Sequence, residues 1–155
     1  MRLVVFGWGN EARGDDGLGP ALLGRVEALG LAEIETVEDY QLQIEHALDL
    51  DGADLALFVD AARAGAAPFF FHEVHANPEA TPSTHALSPA ALLDVYARVR
   101  GDPPPAFVLG VLGERFELGE GLSAVAAERL EAAWAFARAR LENPAVEAWR
   151  KAARG

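Results

Sequence analysis

An apolar run at 3–6 enters the stretch Gly7-Trp8-Gly9-Asn10-Glu11-Ala12-Arg13-Gly14-Asp15-Asp16-Gly17-Leu18-Gly19, and an amphipathic segment leaves it near Pro20. Five glycines in thirteen residues surround two adjacent acids. Such a backbone suits close approach and dihedrals that side chains resist. A buried strand feeding a helix through a glycine-rich loop is the entry unit of an open α/β sheet, and ligands of such sheets sit outside the carboxyl ends of the strands.

The rest of the chain continues that pattern. Leu18, Leu22, Val26 and Leu29 fall on one helical face, with Pro20 in the first turn and Gly30 as the stop. Residues 34–38 alternate apolar and acidic, as a half-buried strand does. Residues 41–50 place Ile44, Ala47 and Leu48 at helical spacing, and 54–60 form a second buried strand closed by Asp60. The link at 64–68 is too short for a helical crossover, which takes about a dozen residues, so the strand at 69–75 is expected to run antiparallel to its predecessor. A polar loop at 77–88 holds His85. Ser88-Pro89 then opens a helix whose expected buried face is Leu92, Leu93, Tyr96 and Val99. A last strand spans 106–112, and the longest helix follows with a stripe from Leu122 to Leu141. Alternating strands and helices give an α/β sandwich of three layers. The reading is one domain over 1–141, with 142–155 as a tail that is a short or frayed helix.

Charge and composition narrow the function. The net charge is −11, and between Val26 and Ala62 ten acids stand with no Lys or Arg. Such a surface repels phosphate backbones, so nucleic acid is an unexpected partner. There is no cysteine, which removes disulfides and thiolate chemistry. No apolar run reaches the length of a membrane span, and the opening run is too short for a signal peptide. The expectation is a cytoplasmic protein with no membrane partner.

Three readings of the opening loop compete. Gly7-x-Gly9-x-x-Ala12 formally matches a dinucleotide fingerprint, with Glu38 or Asp39 as the ribose acid. That motif begins its helix at the second glycine and receives a pyrophosphate there, where Asp15 and Asp16 would repel it. In the second reading one of the two acids caps the following helix, which leaves the other unexplained. The third is a metal site. Asp16 follows the first strand, Asp60 closes another, and His85 lies in a later loop, so the topology can bring all three to one sheet edge. Two carboxylates and an imidazole suit a borderline divalent ion and leave coordination positions open. His72 and His75, on a strand, read as surface or partner-facing, and His46 as a solvated helix residue.

With these residues assembled, the chain resembles the hydrogenase maturation proteases. Their pattern G-x-G-N-x-x-x-x-D-D/E-G-x-G is met by Gly7-Trp8-Gly9-Asn10 and Asp15-Asp16-Gly17-Leu18-Gly19. Their V-D-A motif is met by Val59-Asp60-Ala61, their S/T-x-H by Ser83-Thr84-His85, and their G-E-G-L-S by Gly119 to Ser123. Glu11-Ala12 depart from the family's frequent Pro-Leu. The resemblance implies a three-layer α/β/α sandwich of the phosphorylase/hydrolase-like kind, with a five-stranded mixed sheet and one antiparallel strand. It implies a monomeric endopeptidase that trims the C-terminal extension of a nickel–iron hydrogenase large-subunit precursor. The implied metal and catalytic residues are Asp16, Asp60 and His85, and the nickel is expected to arrive with the precursor. Asp15 is left to capping or loop shape. A non-enzymatic nickel-binding assembly or sensing module is the alternative, and a dinucleotide-dependent oxidoreductase a more distant one.

Overall fold

The computed structural model describes residues 1–78 and 87–154. Five strands form one sheet: β1 (Leu3–Trp8), β2 (Ile34–Asp39), β3 (Leu55–Ala62), β4 (Phe69–Val74) and β5 (Ala106–Leu112). Their order is β2-β1-β3-β5-β4. β1 pairs in parallel with β2 and β3, and β3 with β5, while β4 runs antiparallel to β5. The expected antiparallel direction of β4 is therefore present. The strand does not lie beside β3 but crosses to the far side of β5.

Both faces of the central strands are apolar, and the period-two alternation of side chains divides them between two cores. Val5, Leu57, Val59, Leu109 and Val111 face the helices α1 (Leu18–Ala28), α3 (Ala124–Glu142) and α4 (Val146–Arg154). Val4, Phe6, Phe58 and Val108 face α2 (Pro89–Arg100) and a 3-10 turn at Ile44–Leu50. This is the three-layer sandwich with a mixed five-stranded sheet.

Ser88 caps α2 by accepting the Ala91 N–H, and Ser123 caps α3 by accepting that of Ala126. Both sit directly before the first helical residue, where a short hydroxyl side chain reaches a free N–H.

Several local expectations are corrected. Residues 41–50 do not form an α-helix. Residues 44–50 of that stretch form a 3-10 turn that buries Ala47 and Leu50 and leaves Ile44 and Leu48 exposed, and Leu42 just before it is also buried. Val99 lies on the exposed side of α2, because Ala91, Leu92 and Leu93 supply that helix's buried contacts. His46 is buried rather than solvated. Its Nδ1 accepts the Gln43 N–H, and its Nε2 lies 3.2 Å from the Asp39 carboxylate. The 142–155 stretch, read as a tail with a short or frayed helix, holds the short helix α4, and Trp149 of that helix is 1% exposed. Its indole stands edge-on to Phe71 and Phe107 on the sheet, and Arg150 binds Glu73 of β4. His72 and His75 are exposed, in keeping with the sequence reading.

Candidate active site

The chain leaves β1 to β2 on one side and later returns to β3 on the other side of β1. The strand order thus reverses between β1 and β3, and the crevice outside their carboxyl ends is where an open α/β sheet accommodates ligands. Asp16 follows β1 and Asp60 lies near the end of β3. Both line a single cleft of about 590 Å³ at this crevice, although 44 residues separate them in sequence. Trp8, Arg63, Phe70 and the Leu87–Pro89 segment complete its walls.

The glycines of the loop act through close approach. Gly9 sits at φ +145° against the Asp16 backbone, and a methyl group there would overlap the Asp16 carbonyl oxygen. Gly19 likewise packs its bare α-carbon on the Trp8 carbonyl. The loop is thereby folded back on itself, and the Asn10 N–H donates to Asp16 Oδ2 at 2.6 Å. That bond holds the Asp16 carboxylate in a set direction.

Asp15 does a different job. It caps neither the 3-10 turn Gly14–Gly17 nor α1, and Asp16 makes no cap either, so the expectation that one of the two acids caps the helix is corrected. The Asp15 side chain is fully buried. Its Oδ2 accepts the N–H groups of Glu114 and Arg115 and the Ser123 hydroxyl, and its Oδ1 accepts the Ser123 N–H at 2.7 Å. Burial alone would raise its pKa. These four donors outweigh burial and hold the carboxyl below the usual range. Backbone bonds reinforce the tie, from Gly14 N–H to Glu120, Asp15 N–H to Arg115 and Gly113 N–H to Ala62. One buried carboxylate therefore fastens the β1–α1 loop to the segment entering α3, and the Gly113 N–H ties that segment to the end of β3. Asp15 shapes the loop, and Asp16 is left to face the cleft.

Asp60 stands on β3 in register with Gly110 of β5. Burial raises its pKa to about 6, the neighbouring Asp16 carboxylate pushes the same way, and the Ala61 N–H opposes both. Two acids close enough to repel each other in a cleft form an arrangement that a cation relieves. A divalent ion accepts carboxylate oxygens readily. Among the described residues no group of three metal-ligating side chains gathers. The described part of the site offers two carboxylates, and Ser83, Thr84 and His85 lie outside the described residues.

The dinucleotide reading fails on geometry. The helix begins at Leu18 rather than at Gly9, and the loop turns the Asp16 carboxylate toward a crevice that already holds Asp60, where a pyrophosphate would be repelled.

Two parts of the cleft were not singled out in the sequence. Phe70 reaches it because Gly110 on the neighbouring strand has no side chain, and a methyl group at 110 would overlap the Phe70 ring. Arg63 is the first cation after the cation-free stretch 26–62, and that change of sign was the available signal.

Fold and site together define an α/β protein with a paired-carboxylate cleft at its topological switch point. Among solved structures, this chain is similar to the [NiFe] hydrogenase maturation protease HycI from Thermococcus kodakarensis, with 25% identity over 92% of this chain and 93% of that one, at a TM-score of 0.70. It is similar also to the hydrogenase maturating endopeptidase HybD from E. coli, with 23% identity over 92% and 93% of the two chains and a TM-score of 0.71. A solution structure of an endopeptidase from Escherichia coli gives 22% identity over 94% and 95%, with a TM-score of 0.72. No protein-family model matches the chain, and no curated protein does. The resemblance read from the glycine–aspartate loop and the fold of the whole chain thus meet on the hydrogenase maturation proteases.

Proposed function

We propose that this protein is an endopeptidase that removes a C-terminal extension from the nickel-loaded precursor of a nickel–iron hydrogenase large subunit. The observation that carries the reading is the meeting of Asp16 and Asp60 in one cleft at the switch point of the sheet. The nickel belongs to the substrate. Asp16 and Asp60, joined by His85, grip it and so bring the precursor's scissile peptide over the glycine-rich loop. An ion held there supplies Lewis-acid polarisation of the peptide.

The chain's own residues supply position. The Asn10 N–H fixes the Asp16 carboxylate, and the Asp15 network holds the loop that carries it. Asp60 sits in a poorly solvated place beside a like charge, which favours pairing with a cation over standing ionised and alone. In this reading the protein acts as a cytoplasmic monomer and need not carry a metal of its own, the nickel arriving with the precursor.

The test is incubation with a hydrogenase large-subunit precursor, read by intact mass. Wild type shortens the nickel-loaded precursor, whereas Asp16→Asn, Asp60→Asn and His85→Ala each slow the shortening by about 10–100-fold, the scale on which disturbing a metal site acts. Undiminished processing by all three variants sinks the site assignment. Equal processing of nickel-free precursor sinks recognition through nickel. Nickel-dependent binding with no shortening points instead to an assembly or sensing module.

A further inference from the structure

The cleft has one feature that the two aspartates do not use. Among the described residues, seven arginines are paired with a carboxylate. Arg63 is not among them. It lines the cleft with Asp16 and Asp60, yet its guanidinium forms an ion pair with neither, nor with any other described acid. Other arginines among the described residues also stand without an acid, but Arg63 is the one that lines the cleft holding Asp16 and Asp60.

The guanidinium is nonetheless held. Its central carbon lies 3.9 Å from the centre of the Phe116 ring. That contact engages the ring face and leaves the guanidinium N–H donors without a carboxylate among the described residues. Those donors match a carboxylate in bidentate fashion. Phe116 is itself fixed. It follows Glu114 and Arg115, whose N–H groups bind Asp15, and its ring lies against the bare α-carbon of Gly113. The network that sets the Asp16 loop therefore also sets the platform under Arg63. The cleft thus carries charges of both signs in a largely apolar lining, two carboxylates and a guanidinium seated on an aromatic ring.

We propose that Arg63 is a specificity residue of this cleft: its guanidinium, laid on Phe116, receives a carboxylate of the polypeptide whose metal-bearing part engages Asp16 and Asp60. The carboxylate is either an acidic side chain or the free C-terminus of the segment to be removed. A polypeptide with a cationic part and a carboxylate then fits the cleft in one direction only, because reversal would set carboxylate against carboxylate. This inference rests on the reading of the cleft as a polypeptide site, but its test does not require cleavage.

The probes are three short peptides: a neutral one with a free C-terminus, an amidated one carrying two aspartates, and a neutral amidated one. Binding is followed by the indole N–H signal of Trp8, which lines the same cleft and is assigned with a Trp8→Phe variant. In low salt, at least one carboxylate peptide binds wild type more tightly than the neutral amidated peptide, and the peptide that does so identifies the source. Arg63→Gln weakens that binding about fivefold, the scale of an exposed ion pair, and leaves the neutral amidated peptide unchanged. Arg63→Lys restores part of the loss, which a merely structural role would not require. Equal binding of all three peptides to wild type overturns the proposal, as does an Arg63→Gln variant indistinguishable from wild type. Arg63-dependent peptide binding by a protein that does not shorten the precursor sinks the protease reading and leaves this one standing.

Discussion

Asp15 and Asp16 are adjacent and chemically identical, yet the fold gives them opposite environments. Asp15 is enclosed by four donors from the segment that enters α3. Asp16 keeps one hydrogen bond from Asn10 and faces the cleft. Substituting each by Asn should therefore separate stability from activity. Asp15→Asn places an amide NH₂ against N–H donors and loses charge-assisted bonds, each worth about 1.5–3 kcal/mol. A stability loss of about 3 kcal/mol is expected in urea denaturation, with faster amide exchange over residues 113–123. Asp16→Asn should leave the unfolding free energy within about 0.5 kcal/mol of wild type, as for a residue away from the core. Similar losses in the two variants would contradict the division of roles. The pair was visible in the sequence. The division was not, because the donors to Asp15 come from residues about a hundred positions away.

At the scale of elements, the helices that the apolar pattern described well are those packed squarely on the sheet. α1 buries Leu18, Leu22 and Val26, and α3 buries Ala126, Leu130, Ala133, Ala137 and Leu141, as their spacing implies. The pattern misled where burial is set by something other than helical period. At 44–50 the chain is drawn into a 3-10 turn, with His46 tied back to Gln43 and Asp39. α4 shows the reverse case. Its nine residues form too short a stretch for helical propensity to secure. Its place is decided by one aromatic side chain packed edge-on against the stacked rings of Phe71 and Phe107. Trp149→Ala should then cost about 3–5 kcal/mol in unfolding free energy. Trp149→Phe should cost much less, because the buried indole N–H has no partner to lose. A loss under about 1 kcal/mol for Trp149→Ala would mean that α4 is dispensable to the core.

Across the whole molecule, stability is distributed by position in the sheet. β1, β3 and β5 are apolar on both faces and flanked by strands on both sides. β2 is an edge strand with acidic residues exposed along it, and the 3-10 turn at Ile44–Leu50 lies beyond it in sequence. Local opening is easiest where buried apolar contact is sparse. Native-state hydrogen exchange should therefore find the amides of β3 and β5 opening only with global unfolding, and those of β2 and residues 40–50 opening at lower free energy. Protection in β2 equal to that in β3 would overturn this. The arrangement suits the site, since Asp60 directly follows the fully buried run Leu55–Val59 of a central strand.

By itself, the sequence determined the buried strands at β1, β3 and β5, the Ser-capped starts of α2 and α3, and a glycine-rich loop carrying two acids. Each of these rests on local physics: continuous apolar runs, short hydroxyl side chains before helices, and glycine where backbones must touch. Tertiary structure decided which acid is structural and which faces the cleft, where Asp60 stands relative to Asp16, and that β4 crosses to the outer side of β5. It also brought Arg63, Phe116 and Phe70 to the cleft. These outcomes depend on which distant segments share a sheet edge. That is settled by strand order and by hydrogen bonds across long sequence separations, and no local pattern encodes it.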